Sequence, residues 1–357
     1  DPTDIRKKEL RMAEIKTKLI KAKEALEKCI AVQDFNQASE LKEEIKVLED
    51  AKINLLKKKC LILCYELMKQ MSNSTGTGAT MSGIIEALIL PGITNVHPVV
   101  RNLAVLCLGC CGLQNQDFAS KHFVLLLQVL QIDDITLKIN ALKAIFEHLM
   151  MFGMEPFKTK KINALQCEAT EMNRNGEQES KEVGETATAN NVLKLLSDFL
   201  DSEVSELRTA AAEGLAKLMF SGLVSSRVLY HLILLWHNPV TEEDVRLRHC
   251  LCVFFPMFAY ASRTHRECFE EAFLPNTQTL VNAPVSFPLA EIYITNVAEL
   301  LVDLTLNSQA KKSQDYQGLT VHDNLVIKIC SEILVSPCLP EIHVYTKSLS
   351  SLELSSN

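Results

Sequence analysis

Glycine and proline are scarce in this chain, 12 and 11 among 357 residues, and aromatics make up only 6%. A β-sandwich or barrel needs such turn-formers at short regular intervals, so their scarcity argues against one. A hydrophobic content of 47% argues equally against a disordered chain. Long apolar runs are missing too. The longest, such as 103–113, fall well short of the roughly 20 residues that cross a bilayer. There is no Gly-rich phosphate loop, no GxSxG and no HExxH, which removes the commonest nucleotide, hydrolase and zinc-protease signatures. The opening DPTDIRKKEL is charged and lacks methionine, so no secretory signal is expected and the chain reads as an excerpt of a longer one. What is left is a large helical protein.

The chain is organised around HPVVRNLAVLCLGCCGL, residues 97–113. Pro98 suits the first helical position, with Asn95 or His97 as cap. Val100, Leu103, Ala104, Cys107, Leu108 and Cys111 follow at three- and four-residue steps and make one apolar face. Ala104 and Gly109 leave room for a second helix to come close. The phrase recurs as LKINALKAI around Lys138, LRTAAAEGL around Arg208 and LRHCLCVFF around Arg248. Arg101 to Lys138 is about 37 residues and Arg208 to Arg248 about 40, with a gap of about 70 between. A period near 40 in a helical sequence predicts an α-α solenoid of helix pairs. A basic residue after Val or Leu, a small one three later and Leu seven later resembles the second helix of a HEAT repeat. Arg101, Lys138, Arg208 and Arg248 are therefore expected to be structural, bonding the turn of an adjacent repeat.

Residues 1–57 differ, being rich in Lys and Glu. Ile5, Met12, Leu19 and Leu26 stand at sevens with Ile15, Ala22 and Cys29 beside them, and Ala38, Leu41, Ile45, Leu48 and Leu55 follow the same rhythm. Gln33–Asn36 breaks it, so an antiparallel, coiled-coil-like hairpin is expected. The composition changes at Lys57–Lys59, and a solenoid is expected over 60–352. Its first helices are 60–71 and 84–90, the second ending at Pro91-Gly92, with a loop at 72–80. Phe118–Leu130 should pair with 135–151 across Asp133-Asp134. Residues 168–188, polar and Glu-rich, read as a disordered acidic loop. Pairs at 192–200 with 204–220, 227–236 with 245–261, 268–280 with 294–304, and 323–335 with 341–352 complete the series. Thr241 is the expected cap before 245–261, and Pro256 is expected to kink that helix.

Twelve cysteines raise the question of chemistry. Cys107-x-x-Cys110-Cys111 and Cys250-x-Cys252 are the tightest groups, yet both lie in apolar helices without a second pair at zinc spacing, so no metal and no cofactor are expected. A thiol enzyme would need Cys107 or Cys250 accessible; buried reduced thiols are the plainer reading.

The runs HPVVRNLAVLCLGCCGLQNQDFA, VLLLQVLQIDDITLKINALKAIF, LLSDFLDSEVSELRTAAAEGLAKLMFSGL and HCLCVFFPMFAYASRT, with the hairpin's DFNQASELKEEIKVLED, resemble the C-terminal half of the CAP-G family of condensin I subunits. The likeness covers essentially the whole chain, although the passage from hairpin to Cys60 is short for that family. It implies a non-enzymatic HEAT-repeat subunit that binds the kleisin CAP-H and, with it, double-stranded DNA, inside an SMC ATPase machine that compacts mitotic chromosomes. Nuclear, cytoplasmic and chromosomal location follows from the same resemblance. A HEAT adaptor for protein cargo alone, as in nuclear transport or phosphatase scaffolds, is the alternative.

The net charge of −7 bears on that choice. The surface as a whole repels phosphate, so DNA contact needs a local patch. Lys158, Lys160 and Lys161 form one candidate DNA-binding group, and Arg246, Arg263 and Arg266 a second. Such contacts would be to phosphates, with log affinity falling against log salt by about 0.9 per neutralised phosphate.

Overall fold

A computed structural model describes residues 2–71, 79–132, 134–157, 191–224, 226–306 and 319–354, and among them all regular structure is helical. The 168–188 loop, most of the 72–80 loop, Asp133, and Lys158, Lys160 and Lys161 lie outside the described residues. The chain forms two compact units, Asp1–His148 and Leu149–Asn357, so the division does not fall at the end of the hairpin.

In the first unit, α1 (Pro2–Val32) and α2 (Phe35–Gln70) form the expected hairpin. Met12, Leu19 and Ala22 on one helix and Ala38 and Ile45 on the other are buried, following the heptad rhythm. Gln33 ends α1 by taking a left-handed conformation (φ 59°), an uncommon one for a side chain of its size. Asp34 starts α2, its carboxylate accepting from the Gln37 amide at 3.1 Å. α2 then runs straight through Lys57–Lys59. Lysine and leucine are both good helix formers, so the change in composition alters only what the helix covers: α1 along its first half, and along its second the later helix Pro98–Gln114, where Leu61 and Met68 are buried.

A helical run over 79–93 (α3) comprises Ala79–Ile84, a π-helical turn Ile85–Ile89 and Leu90–Ile93. It continues past Pro91, where the sequence predicts a stop. Proline in a regular helix crowds the carbonyl four residues back, and the wider turn before it, with the Leu90 amide bonded to Ile85, makes room. Next come α4 (Pro98–Gln114), α5 (Gln116–Ile132) and α6 (Ile135–Phe152). Pro98 is the first residue of α4, and Asn95 Oδ1 accepts from the His97 amide at 2.9 Å. Of the predicted apolar face, all but the half-buried Leu103 is buried.

The second unit contains α7 (191–198, extended by a 3-10 turn Phe199–Asp201), α8 (Ser205–Phe220), α9 (Arg227–His237), α10 (Val245–Ala261), α11 (Arg263–Val281), α12 (Ile294–Thr305), α13 (Val321–Val335) and α14 (Ile342–Ser351). Helices α9, α11 and α13 pack in one layer, and α8, α10, α12 and α14 in another. This is the two-layer stacking of a HEAT-type solenoid. Leu215, Leu232, Leu251, Phe269, Leu301 and Leu325 are fully buried between helices, each stabilising the stack by roughly 1.5–3 kcal/mol before entropy. Helices α10 and α11 run on through Pro256 and Pro275. Thr241 is not the cap of α10. Its hydroxyl donates to Leu235 and Asn238 carbonyls inside the preceding turn, and Asp244 takes the cap position.

Candidate functional site

The repeat's basic positions tie turns together. Arg101 Nη1 donates to the carbonyls of Asn95 (3.0 Å) and Val96 (3.1 Å) in its own turn. Its Nη2 reaches Asp134 Oδ2, at the start of the next repeat's second helix, at 3.7 Å. Arg208 repeats the arrangement more tightly: Nη1 donates to Ser202 O at 2.7 Å and Nε to Asp244 Oδ2 at 3.0 Å, while Nη2 pairs with the same oxygen. Among the described residues Arg248 bonds its own side alone, donating to Trp236 O at 2.9 Å with its guanidinium 4.5 Å from the Trp236 ring centre. Among the described residues, Lys138's ammonium makes no such bond. Burial works to raise the Asp244 pKa, but hydrogen bonds from Ser205 and Arg208 and the guanidinium charge outweigh it and hold the carboxyl below its ordinary range.

Within the first unit, α4 and α6 meet through glycine. A Cβ on Gly112 would lie 2.2 Å from His148 Nε2, and one on Gly109 2.8 Å from the Ala144 Cβ. The imidazole of His148, fully buried, fits the space, and its Nε2 donates to Gly109 O at 2.8 Å. Burial lowers its pKa despite that bond. Asn140 donates to Asn102 Oδ1 across the same pair of helices at 2.6 Å.

The second group of candidate cations is spread out. Arg246 is exposed near the start of α10, whereas Arg263 and Arg266 lie beyond its other end, about 25 Å of helix away. Arg263 is engaged, with Nε bonded to Glu267 at 2.9 Å and Nη2 to Leu319 O at 2.6 Å. Arg266 is part-buried, and that burial lowers its pKa, as does Arg263 beside it.

The clustered cysteines of α4 are packing groups. Cys107 donates to Leu61 O and Cys111 to Met68 Sδ, each at 3.4 Å. Burial pushes the Cys110 and Cys111 thiols up to about 11 and about 12 and Cys107 higher still, and it raises half-buried Cys250. Only a thiolate is an effective nucleophile, so these environments oppose thiol chemistry. Among the described residues no cluster of His, Cys, Asp or Glu could hold a metal ion.

One surface escaped the sequence reading. Val253, Met257 and Tyr260, on one face of α10, are 44%, 58% and 54% exposed, and Phe220 at the end of α8 is 46% exposed, its ring 6.2 Å from that of Phe258. The signal was present. Phe254, Phe255 and Phe258 already fill the buried face, so this half of α10 is apolar almost all round, more than one neighbour needs.

The family described as "Nuclear condensing complex subunits, C-term domain" matches residues 59–354, and the chain is 76% identical, over its whole length, to "Condensin complex subunit 3" of Homo sapiens. The chain belongs to the condensin complex subunit 3 family. The Xenopus laevis protein of the same name is 52% identical over 99% of the chain, and that of Schizosaccharomyces pombe 22% over 78%. The chain spans 38% of the length of both the human and the Xenopus relatives. The S. pombe condensin Cnd3-Cnd2 subcomplex contains a chain of the same fold, with a TM-score of 0.65 at 21% identity over 90% of this chain and 40% of that one. The family is described as one of nuclear condensing complex subunits. The bonds of Arg101 and Arg208 join neighbouring turns within this condensin family chain.

Proposed function

We propose that this chain is the HEAT-repeat part of a CAP-G-type condensin I subunit that grips a segment of the kleisin CAP-H. With it, the chain contributes to sequence-independent binding of double-stranded DNA in mitotic chromosome condensation. The observation that carries the reading is the apolar strip of Val253, Met257 and Tyr260 along the exposed face of α10, available to an extended apolar peptide. A solved relative of like fold is itself a Cnd3-Cnd2 pair, which supports a kleisin-type occupant. In this reading 1–57 is an arm and 60–352 the gripping solenoid. ATP hydrolysis belongs to the SMC subunits, and the protein resides in cytoplasm and nucleus before loading on mitotic chromosomes. Lys158, Lys160 and Lys161, with Arg246, remain the candidate phosphate contacts of the repeats.

The test is titration of a labelled CAP-H segment against the chain and its Met257→Glu, Tyr260→Glu double variant. Both sites are exposed, so the fold should survive, and affinity should fall by about tenfold or more. Unchanged affinity would remove the strip from the kleisin interface. A gel shift with duplex DNA, with and without the CAP-H segment, separates this reading from a protein-cargo adaptor, favoured by the −7 charge, which should shift DNA in neither lane.

A further inference from the structure

Charge is unevenly shared along the chain. Residues 1–60 hold 15 Lys and Arg against 12 Asp and Glu, and the remainder holds 22 against 32. Much of the basic excess stands on one face of α1. Lys7, Arg11, Lys18, Lys21 and Lys28 are separated by 4, 7, 3 and 7 residues, steps that keep them in one strip along a helix, and all five are exposed. Glu14 is the one acid inside the strip; Glu24 lies at its margin, and Glu9 and Glu27 on the opposite side. The strip is not the seam, which buries Met12, Leu19 and Ala22, nor the flank where Lys23 meets Glu49 at 2.7 Å. Among the described residues none of the five cations has an ion-pair partner.

This row of five cations, with Glu14 inside it and Glu24 at its margin, is held straight by a helix for about 32 Å, close to the roughly 34 Å of one turn of duplex. Phosphate contacts need cations at intervals and nothing else. A protein interface would need an apolar centre, and between Lys7 and Lys28 this strip has only Leu10 at its edge, the exposed Val32 and Phe35 lying past its end at the hairpin turn. We propose that this face of α1 is a binding surface for the backbone of duplex DNA, distinct from the candidate cations of the repeats. It does not depend on the kleisin reading, since a chain unable to bind CAP-H would still bind duplex through α1.

Anisotropy of a labelled duplex of about three turns, titrated with the full chain from low to physiological salt, tests it. Lys18→Gln, Lys21→Gln, Lys28→Gln together should weaken binding by about tenfold or more and flatten the log–log salt slope by about 2.7, or 0.9 per lost contact. Removing the same charge elsewhere on the hairpin, with Lys16→Gln, Lys42→Gln, Lys46→Gln, should change affinity by about twofold or less, with circular dichroism showing equal helicity for both variants. An unaffected strip variant overturns the proposal, as does an equal loss in both triples, which would mean chain-wide charge. Polyglutamate that binds more tightly than duplex, and is lost in the strip variant alone, would assign the face to an acidic protein and overturn it too.

Discussion

The hairpin and the repeats are both built from antiparallel helices, and they are held in different ways. Between α1 and α2 there is one seam, centred on buried Leu19, Ala22 and Ile45 and backed by Leu26 and Leu48. In the repeats many helices pack against more than one neighbour, glycine lets α4 and α6 approach, and Arg101 and Arg208 each staple one turn to the next. A single seam can open without disturbing anything else; a stapled stack passes each defect to its neighbours. The arm is therefore free to vary its surface, while the repeats are constrained inside and out.

That contrast can be broken most forcefully at the staple. Arg208→Ala strands the mostly buried carboxylate of Asp244 and should destabilise the second unit by about 4 kcal/mol in urea denaturation. Arg101→Ala, whose Asp134 partner is 42% exposed, should cost about 1 kcal/mol or less. Equal losses would mean that the two arginines serve alike. Next come the cores. Leu142→Ala, at a fully buried position, should cost about 3 kcal/mol, and Leu19→Ala in the hairpin about 2 kcal/mol, with hydrogen exchange in the second case speeding up in α1 and the first half of α2 alone. Gly112→Ala should cost about 2 kcal/mol by forcing His148 aside, and less in a His148→Ala background, which a double-mutant cycle would read as coupling.

Acid sharpens the same picture. Burial, with Arg248 nearby, holds the His237 pKa down at about 4. The unfolded chain, with an ordinary imidazole near 6.5, takes up the proton first, so stability should fall as pH drops from about 6.5 to about 4, by on the order of 2 kcal/mol. Asp244 adds a loss below the ordinary carboxylate range, as its depressed pKa is passed. His237→Gln should shrink the upper part of that slope in pH-dependent urea melts, leaving the share of buried His148, whose pKa is lowered as well, and the lower part intact. The smallest effect belongs to the exposed pairs: Lys23→Ala and Lys217→Ala should each change stability by only a few tenths of a kcal/mol.

Most of the helices were legible because apolar periodicity and Pro98 report local geometry directly. Arg101 and Arg208 were recognisable as structural from their register. Their partners were not, since Asp244 lies 36 residues from Arg208 and nothing local distinguishes it from any other acid near a turn. His148 and Gly112 were missed for the same reason: their fit exists only once two helices meet. The hairpin boundary failed differently. Composition changed at Lys57–Lys59, but helix propensity did not, and the backbone follows the second. The run through Pro91 depended on a π turn that no residue pattern announced. The apolar strip on α10 was visible as surplus hydrophobicity and was absorbed into the core by a reading that expected one buried face.

The unbroken course of α2 makes the arm a lever. About 40 Å of helix separates the turn at Asp34 from Leu61 with no hinge between. A molecule pulling near that tip therefore applies torque where Leu61 and Met68 lock against Cys107 and Cys111. Whatever the arm holds is mechanically reported to the first layer of the stack.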